Sequence, residues 1–245
     1  MKKQMRPAFA AAAAAFVLPL FGTAAEPVTS VPLVHRYVAG EHLAYESRMT
    51  ISGPHLKAKR QGHYFVDVDA NDVSHAYVRI EQDGKTNLPI AITIKPDGSW
   101  LRGDGHSVPA IGEYDPSVMC GHATATVHAG ESWSCHIDGV FQYLGPAQPE
   151  PGNVRVTVIR IVPPKTAELN VSYRSDPYRE TTTDDDTHQD ITIVRQTIKT
   201  TTLLLDDGIA TSIADHTQIG TSYGGSPPAV VEVNATKTLT EHRPK

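Results

Sequence analysis

In Val154-Arg155-Val156-Thr157-Val158-Ile159-Arg160-Ile161-Val162, valines occupy every second position from 154 to 158, with Arg155 and Thr157 between them. A period of two is the signature of an extended segment whose side chains turn alternately to opposite sides. On a strict alternation Arg160 and Val162 continue the row of Val154, Val156 and Val158, while Ile159 and Ile161 face the other way. The same period recurs in Leu43, Tyr45, Ser47, Met49 and Ile51. Working outward, β-branched or alternating stretches are found at residues 62–68, 73–82, 89–95, 123–128, 132–137, 169–175, 190–205, 209–219 and 229–239. No apolar stripe with helical spacing runs for four turns. Asp83-Gly84, Asp97-Gly98, Asp138-Gly139 and Asp207-Gly208 separate the strands with residues that tolerate positive φ.

About ten strands with few helices predict an all-β protein: a curved antiparallel sheet, half-barrel, barrel or sandwich, because a flat open sheet would leave its apolar face uncovered. Residues 145–152 contain Pro146, Pro149 and Pro151 and mark a long connection. Neither side of it has an obvious core of its own, so residues 26–245 are expected to form a single β domain. Glu, His, Arg and Asp interrupt both faces of most strands. This separates the pattern from that of a lipid-facing outer-membrane barrel.

Residues 1–25 read as a secretory signal peptide, with Lys2, Lys3 and Arg6 at the start, an apolar, alanine-rich run and small residues up to Ala25. The whole chain has 245 residues and a net charge of −5; without the three leader cations the remainder stands at −8. That balance excludes a general nucleic-acid binder, which needs a basic face. No later stretch is long and apolar enough for a transmembrane helix. The expected location is the periplasm or the extracellular space. The two cysteines, Cys120 and Cys135, are expected to form one disulfide there, stabilising by about 3 kcal/mol for a loop of this size. A two-residue turn at Ala129-Gly130 would, however, place Cys135 opposite Thr124, so the bridge requires a wider loop or a bulge.

No catalytic residue is assigned. Gly220-Thr221-Ser222-Tyr223-Gly224 matches a nucleophile elbow, but Pro227 and Pro228 and a strand follow where a helix is needed, and only Glu232 and His242 remain as partners. Leu205-Asp206-Asp207-Gly208 lacks the hydroxyl residue of an aspartic-protease turn and reads as a hairpin. No metal site is assigned either, despite 12 histidines. His122 and His128 would lie about 20 Å apart along a strand. His63 and His75 sum to 138, whereas a hairpin closed by Ala70-Asn71 pairs residues summing to 141. Asp184, Asp185, Asp186, His188 and Asp190 lack the glycine and terminal glutamate of a calcium loop and read as a solvated turn. Trp100, beside Gly103-Asp104-Gly105, and Trp133 read as core residues, with the lining of an apolar cleft as the alternative. No cofactor is implied.

The segment Tyr37-Val38-Ala39-Gly40-Glu41-His42-Leu43-Ala44-Tyr45 and the turn Gly130-Glu131-Ser132-Trp133 resemble those of uncharacterised exported β-rich envelope proteins. More loosely, the chain is similar to the half-barrels of LolA-like periplasmic lipoprotein carriers. Those carriers pack helices into the concave face, and no such helices are seen in this pattern. The resemblance implies a non-enzymatic carrier and transfers no site residue. The expected function is an exported soluble binding or carrier protein for an apolar ligand or lipid. A structural or protein-interaction module of the envelope is the alternative, and a hydrolase the third reading.

Overall fold

Threonine-rich and β-branched sequence extends into long strands wherever one row can be buried, and the longest lie in the C-terminal half. A computed structural model describes residues 29–86, 88–96, 100–102, 119–122, 124–137 and 151–244. In chain order the strands are β1 (Thr29–Pro32), β2 (His42–Gly53), β3 (Leu56–Val68), β4 (His75–Gln82), β5 (Lys85–Thr86), β6 (Ile90–Ile94), β7 (Trp100–Arg102) and β8 (Thr124–Val127). They continue with β9 (Ser132–Ile137), β10 (Gly152–Val162), β11 (Thr166–Ser175), β12 (Tyr178–Asp184), β13 (Gln189–Asp206), β14 (Ile209–Tyr223) and β15 (Ala229–Arg243). The signal-peptide reading of residues 1–25, the turns at Asp97-Gly98, Gly103-Asp104-Gly105 and Asp138-Gly139, and the prolines 146 and 149 lie outside the described residues.

The fold is all-β and every strand pairing is antiparallel. β1 and β8 form a two-stranded sheet, and the other thirteen strands form one sheet in the order β7-β6-β4-β3-β2-β15-β14-β13-β11-β10-β9, with β12 also on β13 and β5 also on β4. Among the described residues the large sheet is not closed into a barrel: β7 and β9 are its ends. Strands from both sides of the proline-rich connection share this sheet, joined through the β2–β15 pairing. No helix of the described residues is long and apolar enough to cross a membrane.

One face of the sheet is buried in two apolar clusters. The first joins Val154, Val156 and Val158 of β10 to Leu169 and Val171 of β11, Leu203 and Leu205 of β13 and Ile213 of β14, capped by Val31, Leu33, Met119, Ala125 and Val127. The second joins Leu43 and Tyr45 of β2 to Tyr64 and Val66 of β3, Val78 of β4, Ile92 of β6, Trp100 and Ile209. Tyr45 and Tyr64 are directly opposite and stack at 4.8 Å. Trp100 is buried in the core, and Trp133 is half-buried against the first cluster.

Three details depart from the sequence reading. A bulge between Val158 and Arg160 interrupts β10, so Ile161 packs on the core and Arg160 turns out to pair with Glu168 at 2.9 Å. The extra residue relieves the burial of a cation that strict alternation would impose. The β3–β4 register pairs residues summing to 144, such as Asp67 with Tyr77, because the connection is a loop folded by Asp69 and Asp72. His63 accordingly faces Glu81, not His75. Finally, β8 and β9 do not form a hairpin: β8 pairs with β1 and β9 with β10. The obstacle to the disulfide therefore does not arise, and Cys120 and Cys135 are bonded with their Cα atoms 5.6 Å apart.

Candidate functional site

Gly40, at φ 77°, turns the chain into β2 and is held by donating its N–H to the Asp69 carbonyl at 3.1 Å. The turn closes with the Glu41 N–H donating to the Val38 carbonyl. It leaves the Glu41 side chain only 1% exposed, and a buried carboxylate is tolerated only with partners. Glu41 has three. The Val38 N–H donates to Oε2 at 2.8 Å, while His35 Nε2 and His242 Nε2 both meet Oε1, at 2.8 and 2.7 Å.

Each histidine arrives by a distinct local device. Residues 33–35 pass over the β13–β14 turn so closely that a Cβ on Gly208 would lie 2.5 Å from the Val34 carbonyl carbon, and Gly208 has φ 78°. Only glycine meets both conditions. The contact sets His35 Nδ1 3.4 Å from the Asp207 carbonyl oxygen. His242 depends on a bulge. The β15–β2 register slips between Leu239 and Glu241, and Thr240, the extra residue, donates its hydroxyl to the Ala44 carbonyl. Leu239 faces inward opposite Tyr45, Glu241 outward opposite Ala44, and His242 inward opposite Leu43. Without the bulge, alternation would turn His242 away.

The Tyr37 ring meets His35 edge-on at 4.8 Å and lies 5.9 Å from Trp100. Burial, the strongest influence on Glu41, pushes its carboxyl up. The His35 hydrogen bond, the Val38 N–H, the His35 charge and the His242 hydrogen bond together outweigh it and hold the group below its ordinary value. Glu41 is sealed, while the side chains of His35 and His242 keep 14% and 31% exposure. On the opposite face of the sheet His42 Nδ1 meets Asp67 at 2.6 Å, a separate surface pair.

The residues considered from sequence are not gathered here, with the exception of His242. Ser222 is the last residue but one of β14, beside a hairpin loop containing Gly224 and Gly225, both at positive φ, and Thr221 is level with Ala229 at the start of β15. His242 is 13 residues further along β15, on the order of 40 Å of strand. Glu232 is engaged by Gln218 at 3.3 Å. Ser222, Glu232 and His242 therefore form no triad. Asp206-Asp207-Gly208 is the β13–β14 hairpin turn, with Asp207 paired to Lys165 at 2.7 Å. The acidic stretch is the turn from β12 to β13: Asp184 accepts from the Asp186 N–H and the Thr187 hydroxyl, and Asp190 from the Thr183 hydroxyl. His122 stacks on Trp133 at 4.8 Å; it and His128 flank β8. His35 and Glu41 were not singled out from sequence.

No family model matches this chain, and no curated protein matches it. Among solved structures it is similar to a Bacteroides fragilis chain named "putative outer membrane protein", with 10% identity, coverage of 82% of this chain and 97% of that one, and a TM-score of 0.12. A superposition at that score defines no common fold.

Proposed function

We propose that this chain is an exported, non-enzymatic binding protein of the cell envelope that carries an apolar or amphipathic small molecule, such as a lipid, against the inner face of its sheet. The observation that carries this reading is an open sheet whose inner face is apolar on both sides of the β2–β15 seam. Small-molecule sites are commonly lined by apolar side chains with few polar groups. The disulfide and the leader-like residues 1–25 fit an oxidising compartment outside the cytoplasm.

The test is solvent extraction of the chain purified from an exporting host, followed by mass spectrometry. A lipid or other apolar molecule recovered at close to one per chain is expected. Recovery at trace level from protein that also fails to take up a fluorescent fatty acid would overturn the carrier reading. β9 ends the sheet among the described residues and offers a pairing edge, which favours an interaction module as the reading left standing in that event.

A further inference from the structure

We propose that His35, Glu41 and His242 form a binding site for a divalent first-row transition ion, with zinc the best chemical match. The inference is independent of the carrier reading. Two imidazole nitrogens and one carboxylate oxygen converge so that all three lie within 4.8 Å of one another. Tetrahedral zinc with bonds of about 2.0–2.1 Å holds its ligands about 3.3 Å apart. The two Nε2–Oε1 separations are 2.8 and 2.7 Å, so withdrawing each ring by about 0.6 Å would admit the ion. The donor set, two imidazoles and a carboxylate, suits zinc and its neighbours and disfavours calcium and magnesium, which prefer all-oxygen shells.

Proton placement is compatible with an ion. The Asp207 carbonyl can only accept, so the tautomer with its hydrogen on Nδ1 satisfies the 3.4 Å contact of His35. In the neutral ring Nε2 then presents a lone pair to a carboxylate oxygen 2.8 Å away. In this tautomer two acceptors face each other and a cation, a second proton on the ring or a metal ion, belongs between them; the other tautomer donates from Nε2 to Oε1 directly. A ligating histidine oriented by a backbone carbonyl through its other nitrogen is the usual arrangement around protein-bound metals. Neighbouring charges complete the picture. Asp207 is engaged by Lys165, and His42, Asp67 and Glu241 belong to the opposite face, so the set among the described residues is three protein ligands. The partly exposed His242 is the side from which water or an exogenous ligand would complete a four-coordinate shell, as in zinc sites that are not purely structural.

The ligands come from the segment crossing the β13–β14 turn, the turn into β2 and the end of β15. An ion bound there would fasten the last strand to the first part of the described chain, and would stabilise the fold by mass action.

The experiment uses the full chain without a histidine tag, stripped with chelator and titrated with Zn2+ against a chromophoric competitor, and with Co2+ as a spectroscopic probe. One equivalent of tight binding is expected, with the intense visible bands of tetrahedral cobalt and a zinc-dependent rise in melting temperature. His242→Ala should weaken binding at least ~100-fold, since even outer partners of ligands are worth 10–100-fold, and should abolish the cobalt bands. His42→Ala, on the other face, should leave both unchanged. No stoichiometric binding, a weak octahedral cobalt spectrum, or equal affinity in wild type and His242→Ala would overturn the proposal and leave a purely hydrogen-bonded triad. Should His242→Ala fail to fold, His35→Gln together with the wild-type cobalt spectrum decides the matter by the same criteria.

Discussion

Asp215 is the charge whose removal should be felt most in the sheet itself. It lies on the inner face of β14, level with Thr201 and Ala235, and its side chain is 3% exposed. The Thr201 hydroxyl donates to Oδ1 at 2.5 Å and Lys199 Nζ lies 3.4 Å from Oδ2. Burial, the largest influence, pushes the carboxyl up, but the charges of Lys199 and Lys237 and the bonds from Thr201 and Lys199 outweigh it, so the folded value is lowered. Breaking a buried pair from one side costs about 3–5 kcal/mol. Lys199 keeps 18% exposure and can turn to water, which places Asp215→Ala at the lower end, about 3 kcal/mol. With a urea slope of about 2–3 kcal/mol/M, the midpoint at pH 7 should fall by about 1 M or more. Because the folded value is depressed, the stabilisation is complete above the unfolded value of about 3.9 and is lost as pH falls through the folded one. The gap between wild type and Asp215→Asn should therefore narrow in acid. Urea titrations followed by tryptophan fluorescence at pH 7 and at stepwise lower pH test this. An Asp215→Ala variant within about 0.5 kcal/mol of wild type at pH 7, or a gap that widens towards acid, would refute the reasoning.

Thr217 is fully buried on the same face and its hydroxyl has no hydrogen-bond partner among the described residues, so Thr217→Val should raise stability by about 1 kcal/mol in urea unfolding, and a loss would reveal an unrecognised partner. Cys135→Ser should lose about 3 kcal/mol, given the 15-residue separation of the bridged cysteines, and reductant should lower the wild type by a similar amount while leaving the variant unchanged. Gly208→Ala puts a Cβ against the Val34 backbone at positive φ; destabilisation by about 2 kcal/mol or more, read from thermal unfolding, is expected.

The sheet was legible wherever one row of side chains is buried and the other is not. β9 occupies residues 132–137 as read from its alternation, and β13, β14 and β15 lie where their β-branched sequence places them. β12 was invisible for the converse reason. Its residues Tyr178 to Thr183 are all exposed, so Tyr-Arg-Glu-Thr-Thr-Thr carries no period, and the strand exists because β13 overhangs its other neighbour and offers an unpaired edge. Registers escaped the sequence at points set by side-chain hydrogen bonds, as in the Asp69–Asp72 loop. The choice between barrel and open sheet escaped it because period two reports which side a residue faces and says nothing of whether the end strands meet.

The candidate site was illegible for a stronger reason. Glu41 and His242 are 201 residues apart, and only the β2–β15 pairing brings them level. Even with that pairing known, alternation from Leu239 would send Glu241 inward and His242 out; the bulge at Thr240 reverses the assignment. A regular sheet has no need of this irregularity, nor of a buried acid at the entry to β2, nor of a glycine pressed against Val34. All three occur within one small region, where they aim two imidazole nitrogens at one oxygen. Departures from local rules that collect at a single point are expected at functional or strained sites. The concentration itself, more than any one distance, makes the seam between the first and last strands the place to look for a ligand.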